Sequence, residues 1–272
     1  MPGSGRISAR CGSSPIPPAG WRSSPAPTWR SASPLSSEAL PLRAVLTDIE
    51  GTTTAIAFVK ETLFPFAAEA LEGFLAAHSG EAEVAGLLGE VRAAEPGREP
   101  LAVLRDWMAA DSKATPLKAL QGLIWRQGYA DGRLKGHLWP DVAGCLRAWA
   151  AGGVGLAVYS SGSEEAQRLI FGHSVAGDLV PLFSGFFDTR MGAKREQASY
   201  AAIAEAMGMA PGAILFLSDV AEELDAAVAA GMQCCQLVRP EDGTRASGRH
   251  PEARDFPEVA RRFGLPGHSQ AG

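Results

Sequence analysis

The chain has 272 residues, 46% of them hydrophobic and 20% charged, which are the proportions of an ordinary globular protein. Its 25 basic and 30 acidic side chains give a net charge of −5, which argues against a nucleic-acid-binding surface, since such surfaces carry clustered excess base. No apolar run approaches the roughly 18 residues that cross a bilayer. The four cysteines have no paired spacing and indicate reduced thiols. We therefore expect a cytoplasmic protein with neither nucleic acid nor membrane as partner, and a monomer, because nothing in the sequence demands a dimer.

The first 40 residues have a different composition from the rest of the chain. Residues 1–37 contain four Arg, seven Pro and many Ser, but no Lys and no acidic residue. The prolines rule out a long amphipathic helix, and the segment has too few apolar residues to form a core. We predict a disordered extension over residues 1–40. A targeting leader is the alternative, because transit peptides are also rich in Ser and Arg and poor in acid.

Residues 58–135 carry apolar side chains at helical spacing, with no strand-like run between them. Turn signals divide this block into about four helices, and they lie at Ser79-Gly80, Pro96-Gly97, Pro100 and Thr115-Pro116. The block is too long for a simple crossover between strands, so we predict an inserted helical cap. It would act as a lid that excludes water and selects the substrate. A purely structural bundle is the alternative.

On either side of the predicted cap, short β-branched or aliphatic runs alternate with helical patterns, which indicates a parallel sheet. The fold class predicted is therefore α/β, a doubly wound parallel sheet with an inserted helical cap. Residues 41–57 and 136–260 would form the core, and residues 261–272 a flexible C-terminal tail.

Polar side chains follow the predicted strands at the points where they end. They are Asp48 and Glu50 after the first strand, Ser160 and Ser161 after the second, Lys194 after the third and Asp219 after the fourth. In a parallel sheet all of these lie at one edge, where open α/β sheets bind ligands. Three carboxylates would repel one another without a cation, and Mg²⁺ prefers such oxygen ligands. The lysine and the paired serines suit a phosphate, so together the set predicts phosphoryl transfer through an aspartyl-phosphate.

Each element alone has a simpler interpretation. Ser160 and Ser161 could cap a helix, Lys194 could be a solvated surface lysine, and Asp219 could favour a helix dipole. Their joint occurrence at successive strand ends favours the shared site.

The same residues carry a resemblance to a known family. The matching stretches are Asp48-Ile49-Glu50-Gly51-Thr52-Thr53, Val158-Tyr159-Ser160-Ser161-Gly162-Ser163, Phe171-Gly172-His173-Ser174, Gly192-Ala193-Lys194, Phe216-Leu217-Ser218-Asp219-Val220, and Leu120-Gln121-Gly122 with Ile124-Trp125 in the cap. The order of motifs resembles the haloacid dehalogenase superfamily and, more narrowly, the enolase-phosphatases of methionine salvage. The resemblance spans roughly residues 43–260 and includes Glu50, where most members of the superfamily carry Asp.

The resemblance implies an Mg²⁺-dependent enzyme that enolises 2,3-diketo-5-methylthiopentyl-1-phosphate and then dephosphorylates it to the acireductone. By position, Asp48 would be the nucleophile and a metal ligand, and Asp219 a further ligand. Glu50 would bind the metal through its main-chain carbonyl and keep its carboxylate free for acid/base work. Ser160, Ser161 and Lys194 would hold the phosphate.

Several points stay open at this stage. Either Glu222 or Glu223 could be the second acidic residue after the fourth strand. Trp125 and Tyr129 could face the thioether of the substrate, although such a stripe is more often core, and His173 is expected to be structural. A phosphatase or phosphomutase of the same fold acting on another small phosphate ester is the main competing function. A non-catalytic binding module is disfavoured by the intact set of Asp48, Lys194 and Asp219.

Overall fold

The structure is a computed structural model that describes residues 41–267. The predicted extension over residues 1–40 and the last five residues of the predicted tail lie outside the described residues.

Six strands form one parallel sheet in the order β3-β2-β1-β4-β5-β6. They are β1 (Ala44–Thr47), β2 (Gly155–Tyr159), β3 (Gly185–Phe187), β4 (Ile214–Ser218), β5 (Gln233–Leu237) and β6 (Glu252–Ala253). β1 lies between β2 and β4, and Thr47 is in register with both Val158 and Leu217. The carboxyl ends of these three strands are therefore level, at the point where the strand order reverses. The predicted doubly wound α/β fold is confirmed.

The helices of the core cover both faces of this sheet. They are α6 (Val142–Ala151), α7 (Glu164–Gly172), α8 (Gln197–Ala206), α9 (Ala221–Ala229) and α10 (Phe256–Phe263). Successive strand residues point to opposite faces, so Val45 packs with α6, α7 and α10, whereas Ala44 and Leu46 pack with α8 and α9. Burial on both faces explains why these strands are continuous apolar runs rather than alternating ones.

The chain between β1 and Leu138 is helical throughout its regular structure. It begins with α1 (Ile56–Phe58) and a π-helical turn (Val59–Leu63), then continues with α2 (Phe64–His78), α3 (Ala82–Ala94), α4 (Pro100–Ala109) and α5 (Thr115–Ala130). The last four helices pack around an apolar cluster of their own, centred on Leu71, Leu104 and Leu120. Three of them carry proline in the first turn. Proline lacks an N–H, and this costs nothing there because N–H groups of the first turn have no acceptor within the helix. These four match the helices expected from the turn signals; the π-helical turn was not predicted.

Two features of the C-terminal region differ from the sequence-based expectation. The two-residue strand β6 was not predicted, because so short a segment carries no periodic pattern. Helix α10 ends at Phe263, and Leu265 is buried beyond it, so regular structure continues past the boundary expected at residue 260. Among the described helices, none combines the length and the apolar character that a membrane span requires.

Candidate active site

The loop Asp48–Thr54 leaves the end of β1 in a tight turn. Its geometry is fixed by the carbonyl of Ile49, which accepts hydrogen bonds from the backbone N–H groups of Thr52, Thr53 and Thr54 at 3.2, 2.9 and 2.9 Å. The carboxylate of Asp48 accepts a 2.7 Å hydrogen bond from the N–H of Ile49, which fixes its direction. A backbone hydrogen bond therefore helps to position the Asp48 carboxylate.

Gly51 brings this loop against the residue that follows β4. Its φ of +69° lies in the left-handed region, which glycine adopts without steric cost. A Cβ added at Gly51 would lie only 2.5 Å from Cγ of Asp219. The carboxylate of Asp219 is thus packed directly on the backbone next to Glu50. Two acidic residues that are 171 positions apart in the sequence, 48 and 219, both follow strands at this edge of the sheet, and the charge of Asp48 acts on Asp219.

Lys194 lies between two carboxylates at this edge. Its Nζ is 2.8 Å from Oδ1 of Asp48 and 2.7 Å from Oε2 of Glu223, and its side chain is only 11% exposed. The hydroxyl of Tyr200 donates to the carbonyl of Lys194 at 2.7 Å and holds the loop in place. Burial opposes the charge on Lys194, but the two carboxylates outweigh it and raise the pKa of the ammonium above its ordinary value. Lys194 is therefore an ionised lysine of the site, not a solvated surface lysine.

The structure distinguishes the two glutamates that the sequence left open. Glu223 is buried, and its Oε2 accepts a hydrogen bond from the hydroxyl of Ser218 at 3.0 Å in addition to the contact with Lys194. Glu222 is exposed and pairs with Arg249 at 2.9 Å. Only Glu223 belongs to the site.

The site contains more carboxylates than cationic side chains. Lys194 is the cation, and the carboxylates are those of Asp48, Glu50, Asp219 and Glu223. Burial first, and then the charges of Asp48 and Glu223, raise the pKa of Asp219 to about 7, while Lys194 opposes the rise. Burial and Asp48 likewise raise the pKa of Glu50, against the lowering effect of Lys194 and of two cap lysines, Lys60 and Lys113. Both lysines belong to the region between β1 and Leu138, so positive charges of this region act on the carboxylate of Glu50.

This excess of negative charge suits a divalent cation. Lys194 pairs with Asp48 and Glu223, whereas no salt bridge within the described residues reaches Asp219. The described residues contain no group of three or more His, Cys, Asp or Glu side chains placed to hold a metal. Two carboxylates with a main-chain carbonyl make a smaller protein set, and Mg²⁺ is commonly held in that way because it keeps several waters. The residues fit the predicted ion.

The two predicted serines lie at the end of β2 in different environments. Ser160 is buried, and its hydroxyl accepts a hydrogen bond from the N–H of Gly162 at 3.2 Å. Ser161 is exposed at the sheet edge. The N-cap of α7 is Ser163, whose hydroxyl accepts from the N–H of Ala166 at 3.3 Å. The N-cap position of α7 is thus occupied by Ser163, not by Ser160 or Ser161. Those two serines lie at the edge of the sheet that carries Asp48.

Gln236 of β5 also contributes to the site, and sequence reasoning missed it. Its side chain is buried, and Nε2 donates to the carbonyl of Asp219 at 2.8 Å and to that of Arg245 at 3.1 Å. It thus anchors the backbone from which the Asp219 carboxylate projects. The available signal was an amide within a buried strand, Cys234-Cys235-Gln236-Leu237, because a buried amide requires hydrogen-bond partners.

The aromatic residues considered for substrate contact lie in packed positions. Tyr129 is 3% exposed and stacks on His173, with ring centroids 5.4 Å apart. The indole N–H of Trp125 donates to the carbonyl of Leu63 at 2.9 Å. Both residues join α5 to neighbouring elements, and His173 contributes to the same packing.

Comparisons with known proteins agree with this geometry. A family model of haloacid dehalogenase-like hydrolases matches residues 42–231. Enolase-phosphatase E1 of Granulibacter bethesdensis is 57% identical over 227 residues, which cover 83% of this chain and 98% of that protein. Enolase-phosphatase E1 of Pseudomonas aeruginosa is 55% identical over 224 residues, covering 80% of this chain and 98% of the relative.

Two solved structures extend the comparison. The UTR4 protein of Saccharomyces cerevisiae matches with a TM-score of 0.69 and 31% identity, over 79% of this chain and 98% of that one. CbbY of Rhodobacter sphaeroides matches with a TM-score of 0.53 and 17% identity, over 80% of this chain and 96% of that one, and shares the fold alone.

The parallel sheet, with an aspartate at the end of its central strand and a lysine and a second aspartate at the neighbouring ends, defines a haloacid dehalogenase-like hydrolase. The sequence identity narrows this class further. The chain belongs to the enolase-phosphatase E1 family, and the resemblance read from the sequence motifs is confirmed.

Proposed function

We propose that the protein is an Mg²⁺-dependent enolase-phosphatase of methionine salvage, with 2,3-diketo-5-methylthiopentyl-1-phosphate as substrate and the acireductone and phosphate as products. The observation that carries this proposal is a glutamate at position 50, half-buried beside Asp48. A phosphatase needs one carboxylate as nucleophile and one as acid/base, whereas enolisation also requires a base that reaches a substrate carbon. The relatives named above support this assignment.

In the first step Glu50 acts as the base. Its carboxylate takes a proton from carbon 1, which lies between the phosphate ester and the carbonyl of carbon 2. The carbonyl oxygen takes a proton from solvent to give the enol, and Glu50 is left protonated. The additional methylene of glutamate, relative to aspartate, extends the reach of this carboxylate towards carbon. The raised pKa of Glu50 suits a group that must both accept and return a proton near neutrality.

In the second step Asp48 acts as the nucleophile. Its oxygen attacks phosphorus, the bond from phosphorus to the bridging oxygen breaks, and protonated Glu50 supplies the proton for the leaving acireductone. Water then attacks the aspartyl-phosphate, with Glu50 accepting its proton, and phosphate leaves. Lys194, Ser160 and Ser161 hold the phosphate oxygens by charge and by hydrogen bonds.

Asp48, Asp219 and the main-chain carbonyl of Glu50 are the groups that would hold Mg²⁺. When bound, the ion would neutralise the negative charges of the nucleophile and of the phosphate, which otherwise repel each other. The pKa of Asp219, raised to about 7 when no cation is present, supports this assignment.

The test separates the two steps. Purified enzyme with Mg²⁺ and the diketone phosphate is followed by ultraviolet absorbance of the enol and by release of free phosphate. We expect Asp48→Asn to form the enol without releasing phosphate, and Glu50→Gln to do neither. Glu50→Gln should still release about one equivalent of nitrophenolate per enzyme from p-nitrophenyl phosphate, because nitrophenolate leaves without protonation, but should turn over slowly, because the water that attacks the aspartyl-phosphate then lacks its base.

Two outcomes would contradict the proposal. Phosphate release from simple esters with no enol signal from the diketone phosphate would favour a phosphatase or phosphomutase for another small ester. A Glu50→Asp variant with both steps unchanged would remove the argument from side-chain reach.

We also propose that the enzyme acts in the cytoplasm as a monomer. The described cysteines Cys145, Cys234 and Cys235 are free and buried, which supports a reducing compartment. Light scattering at micromolar concentration tests the monomer, and a dimer mass would overturn it.

A further inference from the structure

The turn over residues 239–242 follows β5. It contacts the catalytic loop, residues 48–54, and the cap linker, residues 55–57, at the start of the cap. Nε of Arg239 donates to the carbonyl of Thr52 at 2.9 Å. The carboxylate of Asp242 accepts from the backbone N–H groups of Ile56 and Ala57 at 2.6 and 3.4 Å. These contacts span 187 and 186 positions of sequence. One short segment therefore touches the chain just after Glu50 and again at the start of the cap.

Arg239 is a buried arginine whose positive charge is paired with the carboxylate of Asp141. Its residue exposure is 4%, and its guanidinium makes two parallel hydrogen bonds to Asp141, at 3.0 and 2.9 Å. It also lies over the ring of Trp139, 5.0 Å from the centroid. Bidentate and stacked contacts of this kind fix a guanidinium in one orientation. Its Nε is thus held against the carbonyl of Thr52, and Nη1 also donates to the carbonyl of Arg254 at 3.5 Å.

Hydrogen bonds close this turn. The hydroxyl of Thr244 accepts from the N–H of Arg239 and donates to its carbonyl, the latter at 3.1 Å. The same carbonyl accepts from the N–H of Asp242 at 3.0 Å. These three hydrogen bonds hold Arg239 and Asp242 within one tight turn.

The two linkers of the cap also contact each other at this place. The hydroxyl of Thr54 donates to the carbonyl of His137 at 2.7 Å, and the N–H of Ala55 donates to Nδ1 of the same histidine at 3.1 Å. The N–H of Trp139 donates to the carbonyl of Thr53 at 3.0 Å. Asp242 and Arg239 thus contact the place where the two segments that join core and cap lie side by side.

We propose that Arg239 and Asp242 are positioning residues for the two parts of the reaction site: Arg239 sets the loop that carries Asp48 and Glu50, and Asp242 sets the cap linker relative to that loop. This inference rests on the proposed roles of those two acids and of the cap. A misplacement of reacting groups by about 1 Å costs on the order of 100-fold in rate, so loss of either contact has a measurable effect.

Different substrates separate the two roles. Loss of the Asp242 contact frees the cap linker, so Asp242→Ala raises KM for the diketone phosphate about tenfold but changes turnover of p-nitrophenyl phosphate, a small ester that does not need a closed cap, less than threefold. Asp242→Asn keeps one acceptor oxygen for Ile56 and restores most of the affinity. A role in stability alone would lower the melting temperature and leave this KM unchanged.

The Arg239 contact is tested with Arg239→Met and with Arg239→Met/Asp141→Asn. The double variant avoids an unpaired buried charge, while the introduced asparagine side chain keeps an acceptor for the N–H of Phe256, which Asp141 binds at 2.9 Å. We expect kcat to fall about 10- to 100-fold on both substrates, measured well below the melting temperature. Arg249→Met is the matched control, because Arg249 is an exposed partner of Glu222 and Asp225.

The inference is overturned if the folded double variant keeps the wild-type kcat, or if Asp242→Ala leaves KM for the diketone phosphate unchanged. A failure of the proposed function is distinguishable, because the wild-type enzyme itself would then give no enol signal.

Discussion

The ammonium of Lys194 lies 2.7 Å from the carboxylate of Glu223, and the same nitrogen lies 2.8 Å from that of Asp48. Glu223 therefore shares the lysine with the proposed nucleophile. Because two carboxylates share the ammonium, the charge of Lys194 is not paired with Asp48 alone.

Glu223→Gln removes this second partner. We expect kcat/KM to fall about 10- to 100-fold, the equivalent of one charged hydrogen bond of about 1.5–3 kcal/mol. Steady-state phosphate release at neutral pH is the measurement. Glu222→Gln is the matched control on the same helix, and because that side chain is exposed we expect less than a twofold change. Equal effects of the two substitutions would contradict the assignment of Glu223.

Gly51→Ala tests the close approach between the catalytic loop and Asp219. The new methyl group would lie 2.5 Å from Cγ of Asp219, so the carboxylate must move. We expect activity to fall about 100-fold and Mg²⁺ affinity to weaken.

Gly208→Ala is the control for backbone strain, since Gly208 has a φ of +64° and nothing within 4 Å of an added Cβ. Both variants carry the cost of a left-handed alanine, about 1–2 kcal/mol, but only Gly51→Ala should lose activity. Comparable losses of activity in both would show that strain, not the Asp219 contact, is responsible.

The raised pKa of Asp219, about 7 against an ordinary value of 3.8, makes the stability of the metal-free protein depend on pH. Between these two values the folded state holds a proton that the unfolded state has released. The contribution to stability is therefore fully present below about pH 4 and is lost as the pH rises through about 7. Because Mg²⁺ binds the ionised carboxylate, we expect it to raise the melting temperature by several degrees at pH 8 and much less at pH 5.

Asp219→Asn removes the ionisable group. This variant should melt at a higher temperature than the metal-free wild type at pH 8 and should lose most of the response to Mg²⁺. Asp225→Asn is the matched control, since Asp225 is exposed and pairs with Arg249, and it should retain that response. A response to Mg²⁺ that is independent of pH would contradict the assignment of Asp219.

Much of this architecture could be predicted because its determinants are local. β1 is a buried apolar run that ends at Asp48, and register with its neighbours follows from parallel pairing, so the polar strand ends had to meet at one edge. The helices of residues 58–135 were predictable because they are amphipathic and three of the four carry proline in the first turn. The strand β6 was not, because two residues carry no period.

The parts of the site that could not be predicted depend on contacts between residues that are distant in the sequence. Glu222 and Glu223 are chemically alike and differ by about 100° in their direction around the helix axis. Which of them reaches Lys194 therefore depends on how α9 is rotated about its axis, and the sequence does not give that rotation. Arg239 and Asp242 contact residues about 186 positions away, and no pattern near them records those partners.

Lys113, in the cap segment between α4 and α5, gives a last prediction on pH dependence. Burial and Asp48 raise the pKa of Glu50, whereas Lys194, Lys60 and Lys113 lower it. Lys113→Met removes one of the lowering charges, so the pKa of Glu50 rises further. Glu50 must be ionised to accept the substrate proton, and the acidic limb of kcat/KM for enol formation therefore moves to higher pH.

The side chain of Lys113 is 71% exposed, so its effect passes largely through water and is screened by salt. We expect the displacement of the acidic limb at low ionic strength and its near disappearance at about 0.5 M salt, where the Debye length is a few ångströms. Lys118→Met, on the exposed surface of α5, is the matched control and should leave the profile in place. A limb that moves to lower pH in Lys113→Met, or that moves equally in both variants, would contradict a cap lysine facing Glu50.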